Sequence, residues 1–86
     1  MQNVLQRWLL ILCLNSNMEK FKIKVGGEIC FGVIREVYLY DTGEIKYNAD
    51  VETIDGKPLH CVGTKFSSKN RAFMEILAWA EFKNEL

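Results

Sequence analysis

The sequence predicts an α+β fold, in which a three- to four-stranded antiparallel sheet precedes a C-terminal helix packed on one face. Three observations predict it. Apolar and polar residues alternate with a period of two in residues 20–25 and 45–53, as in strands with one buried face. Glycine-containing turn signals separate these segments, as in β-hairpins. After residue 68, apolar residues recur at helical spacing to about residue 84.

The first two predicted strands differ in pattern. In the first, apolar and basic side chains alternate: Phe21, Ile23 and Val25 with Lys20, Lys22 and Lys24. Gly26-Gly27 then predicts a tight turn. Residues 30–40 are rich in β-branched and aromatic residues, which favours the central strand, and Gly32 suggests a β-bulge in it.

Two more strands and a helix follow. Residues 41–44 predict a hairpin turn, and the alternation in 45–53 predicts a strand with one buried and one solvated face. Residues 55–56 are a two-residue hairpin signal before a strand that begins at Pro58 and runs to about residue 66. Ser67 or Ser68 predicts the helix N-cap. The apolar residues that follow at helical spacing are Phe73, Ile76, Leu77 and Ala80.

Residues 1–17 predict an apolar extension or short helix before a single α+β domain, 18–86. One face of such a helix would carry Val4, Leu5, Trp8, Leu9 and Leu12. Such a face would bury itself on the sheet or on a second copy. Because Trp8, Leu9 and Leu12 are costly to leave in water, the sequence predicts a homodimer through this segment. The apolar run 8–14 is too short to span a bilayer, and no small-x-small cleavage site follows it, which predicts no membrane association.

Composition restricts the possible functions. Acids and bases are balanced at eleven each, which weighs against a protein that coats nucleic acid non-specifically.

The three cysteines, Cys13, Cys30 and Cys61, are far apart and show no zinc-site spacing, which favours reduced thiols and a cytoplasmic location. His60 and Cys61 are adjacent in a strand and so point to opposite faces, where they cannot act together. We therefore expect no enzyme activity, cofactor or metal.

A basic corner is the strongest candidate site. It consists of Lys65, Ser67, Ser68, Lys69, Asn70 and Arg71, which flank the start of the predicted helix. Unpaired backbone amides and the helix dipole favour an anion such as phosphate there. Tyr38, Tyr40 and Tyr47 offer stacking surfaces for bases, although aromatic residues in strands more often fill cores.

The segment Ser68-Lys69-Asn70-Arg71-Ala72, after three hairpin-linked strands, resembles the latter two thirds of a double-stranded RNA-binding domain. In that family a Ser-Lys-Lys segment opens the second helix and grips phosphates. Ser68 and Lys69 match this opening, Ala72 matches a packing alanine, and Gly63 stands near the glycines of the third strand. Lysines of the family are replaced by Asn70 and Phe73, and the glycine before the serine is absent. The resemblance covers about residues 33–83.

The same helix opening is also similar to that in the first half of ribonuclease H, which reads Thr-Asn-Asn-Arg and then an acid. The metal-binding acid of that enzyme would fall at Phe73, and the 21–25 strand lacks its aspartate. This resemblance implies at most an inactive, half-length relative of the antitoxin type. Either resemblance implies binding without catalysis.

Two functions follow from the sequence. The first is a non-catalytic nucleic-acid-binding module, with RNA favoured, that uses the basic corner. The alternative is a protein-binding inhibitor or antitoxin-type module, such as a phage inhibitor of a host system. It would present Glu36, Asp50 and Glu52, from an acidic stretch with six acids and one base between residues 36 and 55, to a basic protein partner.

Overall fold

The computed structural model describes residues 18–85, which form a four-stranded antiparallel sheet with one helix on one face. The strands are β1 (Met18–Val25), β2 (Glu28–Leu39), β3 (Glu44–Glu52) and β4 (Pro58–Phe66), and the helix is α1 (Lys69–Asn84). The strands lie in chain order, so hairpins join all neighbours. The α+β prediction is confirmed, with four strands. The predicted N-terminal helix and the dimer contact at residues 1–17 lie outside the described residues.

The hairpin turns depend on left-handed glycines. Gly26 and Gly27 have φ values of 59° and 87°, which a two-residue turn between β1 and β2 requires, as predicted. The turn between β3 and β4 is longer than the predicted two residues. The Gly56 amide donates to the Thr53 carbonyl at 2.9 Å, and the Thr53 hydroxyl accepts from the Lys57 amide at 3.0 Å. This side-chain bond stabilises a wider loop.

The predicted bulge at Gly32 is wrong. Gly32 lies in continuous register between Phe21 of β1 and Val51 of β3. A Cβ atom at this position would lie 2.6 Å from Cζ of Phe21 and 3.0 Å from Cγ2 of Ile76. Glycine is therefore required for close packing rather than for a bulge. The irregular pairing lies between β3 and β4, where the register shifts in three places.

The core lies between α1 and the sheet. Its buried residues are Ile23, Cys30, Ile34, Ala49 and Val51 from the strands and Ala72, Ile76 and Ala80 from the helix. The helical members are spaced by four, so they form one ridge along α1. Two of the four apolar residues at helical spacing, Ile76 and Ala80, thus lie in the core. Of the other two, Phe73 is half-buried and Leu77 is 39% exposed.

Helix α1 runs beside β1 and in the same direction. At its start, Lys69 Nζ lies 2.9 Å from a carboxylate oxygen of Glu19. At its end, Asn84 bonds to the backbone of Lys24 and Gly26. Ser68 is the N-cap, as one of the two predicted serines, and its hydroxyl accepts from the Arg71 amide at 3.1 Å.

The β2–β3 hairpin extends past its neighbours. Pairing with β1 reaches Arg35, and pairing with β4 reaches Tyr47. Within the part of the chain that the structure describes, residues 37–46 therefore pair only with each other. We call this two-stranded segment the ribbon.

Candidate functional site

The basic corner lies where β4 ends and α1 begins. All six of its predicted residues, Lys65, Ser67, Ser68, Lys69, Asn70 and Arg71, are exposed. The backbone turns sharply at Lys65, which has a left-handed φ of 59°. Its amide donates to Oδ1 of Asn48 at 3.0 Å. This bond holds the unusual backbone at the entry to the corner.

Two cations of the basic corner have acidic partners. The Lys69 ammonium bonds to Glu19 at 2.9 Å, and this bond together with the attraction between the charges raises the pKa of Lys69. Arg71 Nε bonds to Glu75 at 3.1 Å, one helical turn away. Lys65 makes no ion pair with any residue from 18 to 85. Sequence reasoning missed Glu19 because it lies fifty residues from Lys69 along the chain.

The helix start provides backbone donors beside these cations. The first turn of α1 contains no acid, and among residues 18–85 the Ser68 hydroxyl accepts a hydrogen bond from the Arg71 amide alone. The Ala72 amide bonds to the Ser68 carbonyl at 3.2 Å, which begins the helical pattern. The amides of Lys69 and Asn70 have no such partner within the described chain. They are therefore available to an anion.

The three acids of the alternative site do not share one surface. Glu36 lies opposite Tyr47, which packs on the core, so it is on the side of the sheet that carries α1. Asp50 and Glu52 lie on the other side, which we call the open face. Both are in ion pairs: Asp50 with Arg35 at 3.2 Å, and Glu52 with Arg35 at 3.0 Å and Lys20 at 3.4 Å.

The predicted solvated face is therefore wrong at Glu52, which is only 8% exposed. Burial by itself raises the pKa of this carboxyl group. Hydrogen bonds from Arg35 and Lys20 outweigh that effect and hold the pKa below its ordinary value of 4.5. Beneath the ion pairs lies Val33, fully buried and in register between Lys20 and Asp50. The charged side chains thus cover an apolar position on the open face.

A groove of about 350 Å³ lies beside these ion pairs, and its lining includes Arg35, Asp50, Leu59, His60 and Cys61. Desolvation and the Asp50 carboxylate raise the pKa of the Cys61 thiol, which makes it a poor nucleophile. His60 stacks on Trp79, with ring centroids 4.7 Å apart. Cys61 lies opposite Asp50 and His60 opposite Val51, so the two point to different faces, as predicted.

The three tyrosines are divided between the core and the ribbon. Tyr47 packs against the core. Tyr38 and Tyr40 are 52% and 89% exposed, and their rings meet edge to face at 4.9 Å. The structure therefore leaves two aromatic side chains accessible to a partner.

Residues 18–85 contain no group of three His, Cys, Asp or Glu side chains placed to hold a metal ion. Within the same residues no helix is long and apolar enough to cross a membrane. Comparison with protein-family models, with curated proteins and with solved structures finds no significant match to this chain.

Proposed function

We propose that this chain is a small non-catalytic nucleic-acid-binding module, with RNA as the favoured ligand, that binds phosphates at its basic corner. The observation that carries the proposal is the meeting of exposed cations with free amides at the start of α1. Charge-assisted bonds from lysine and arginine, and amides at a helix N-terminus, both suit phosphate oxygens. A cytoplasmic location suits such a ligand. The free thiols of Cys30 and Cys61 support this location, because the reducing cytoplasm keeps cysteines unpaired.

The ion pairs at the basic corner are compatible with this role. Both pairs are exposed to water, where such pairs contribute little to stability. A phosphate can therefore replace Glu19 or Glu75 as the partner at small cost. On the ribbon, Tyr38 and Tyr40 provide rings on which unpaired bases can stack.

The geometry gives less support to the alternative, an inhibitor or antitoxin-type module that binds a basic protein. Asp50 and Glu52 already have cationic partners, and Glu36 lies on the opposite face of the sheet. A basic partner would have to compete with Arg35 and Lys20 for a largely buried carboxylate. The alternative predicts that the protein ignores nucleic acid and loses its partner when these acids are neutralised.

The test is a titration of the full chain against labelled duplex RNA, duplex DNA and single strands at low and physiological salt. We expect binding that weakens with salt and is strongest for RNA. Lys69→Ala combined with Arg71→Ala should weaken it. If both residues contact phosphate, the slope of log affinity against log salt should flatten by roughly 1.4 to 1.8.

The matched control is Lys57→Ala combined with Lys83→Ala. It removes the same charge at two exposed positions away from the basic corner and should leave the slope closer to that of the wild type. Equal losses in both variants would show general attraction rather than a site. Absence of binding at low salt would rule out the proposal and favour a protein partner.

A further inference from the structure

Strand β1 is an edge of the sheet, and its outward backbone groups belong to lysines. Asn84 Nδ2 donates to the Lys24 carbonyl at 2.9 Å, so this carbonyl points away from β2. In an antiparallel pair, residues alternate between bonding to the neighbour and pointing outward. The N–H and C=O groups of Lys20 and Lys22 therefore also point outward. Nothing in residues 18–85 bonds to them.

The two edges of the sheet differ in regularity. Strand β1 pairs with β2 in unbroken register from Met18 to Val25. Strand β4 begins at Pro58, has a shifted register and includes left-handed Lys65. Proline and irregular pairing protect an edge from further strands. Only β1 among the described strands therefore offers a regular edge.

The side chains beside this edge form two different surfaces. On the open face, Lys22 and Lys24 are exposed and have no acidic partner in the described chain. On the helix side, a groove of about 520 Å³ lies between β1 and α1, with apolar lining from Ile23, Leu77 and Ala80. The exposure of Leu77 follows from its place in this groove.

We propose that β1 binds an extended acidic peptide, which adds to the sheet as an antiparallel strand. Its acids occupy alternate positions opposite Lys20 and Lys22, because Asn84 occupies the edge at Lys24, and the Lys24 side chain adds a complementary charge beside them. Apolar residues between the acids point into the groove against Ile23 and Leu77. Backbone bonds to Lys20 and Lys22 supply affinity, as in other cases of strand addition. The peptide site uses residues other than those of the basic corner, although Lys69 of the corner bonds to Glu19 of β1.

The positive charge of the β1 lysines disfavours a second copy of this chain as the strand bound at this edge. If β1 paired with itself about Lys22, Lys20 of one copy would lie opposite Lys24 of the other. Like charges directly opposite each other destabilise a strand pair. The lysines therefore repel a second copy of β1 and attract an acidic strand. Both effects contribute to specificity for the acidic peptide.

The experiment measures fluorescence anisotropy of a labelled peptide of about eight residues in which glutamate alternates with valine. Two further peptides carry N-methyl groups, one on the glutamate amides and one on the valine amides. Residues opposite the lysines turn their own amides toward β1. We therefore expect methylation of glutamate amides to weaken binding at least about tenfold, and methylation of valine amides to be tolerated.

Protein variants provide the second arm. Lys22→Glu combined with Lys24→Glu should weaken binding at least about tenfold. The matched control, Lys57→Glu combined with Lys65→Glu, should leave it close to wild type and also separates this site from the basic corner. Circular dichroism checks that each variant is folded. Equal effects of the two methylated peptides, absence of binding, or equal losses in both variants would overturn the proposal.

Discussion

At the scale of single residues, Gly32 determines how closely α1 approaches the sheet. The Phe21 ring and the Ile76 side chain fill the space that a Cβ atom would need. The Phe21 ring packs in turn on Phe73, with centroids 4.8 Å apart, so it has little freedom to move aside. Because Gly32 has no Cβ atom, the Phe21 ring can pack on Phe73 and hold the start of α1 against the sheet.

We expect Gly32→Ala to lower the free energy of unfolding by about 1–3 kcal/mol, because it overpacks this contact. Urea unfolding followed by circular dichroism measures the change. Phe21→Leu makes room for the new methyl group, so the double variant should lose less than the sum of the two single variants. Additive losses would show that the Phe21 ring is not what excludes the side chain.

At the scale of the elements, one side chain fixes the end of α1 to β1. Asn84 donates to the Lys24 carbonyl at 2.9 Å and accepts from the Gly26 amide at 2.7 Å. The side-chain amide of Asn84 thus makes the two hydrogen bonds that the backbone of a neighbouring strand would make. It occupies the turn end of the β1 edge and leaves Lys20 and Lys22 open.

Asn84→Ala should therefore reduce stability by about 1–2 kcal/mol, the value of two ordinary hydrogen bonds. It should also accelerate hydrogen exchange of the Gly26 amide, which NMR can follow. Glu81→Ala, one turn earlier on the exposed side of α1, is the control and should leave that amide unchanged. Unaltered exchange in Asn84→Ala would mean that another group protects the turn.

Features that depend on neighbouring residues were predictable at this scale. The alternation of β1, the glycine turn after it and the Ser68 cap all follow from short-range geometry. The exposure of Leu77 was not predictable. Helical spacing identifies a candidate stripe, but the edge of the sheet decides which side of that stripe remains uncovered.

Charge pairing was likewise beyond sequence reasoning. The basic corner was identified because its residues are contiguous, but its partner Glu19 comes from the other end of the domain. Asp50 and Glu52 read as a solvated acidic face until the sheet register placed Arg35 and Lys20 beside them. Long-range register fixes such pairs, and a single sequence does not specify it.

At the scale of the whole molecule, one ion network connects the three strands β1, β2 and β3. Lys20, Arg35 and Glu52 come from consecutive strands and meet over buried Val33. Because Glu52 is largely shielded from water, its bonds depend on its negative charge. The network therefore links the stability of the sheet to pH.

The pKa of Glu52 lies below 4.5 in the folded chain, so its stabilising contribution is complete above that pH and is lost as pH falls through the folded pKa. Glu52→Gln should be less stable near neutral pH, on the order of 1–2 kcal/mol, since Lys20 and Arg35 keep access to water. As pH falls below 4.5 the wild type should approach the variant. Urea unfolding at several pH values measures both, with Glu28→Gln, exposed and without an ion pair in residues 18–85, as the control. A gap between wild type and Glu52→Gln that stays constant down to low pH would show that the carboxylate charge is not what stabilises the network.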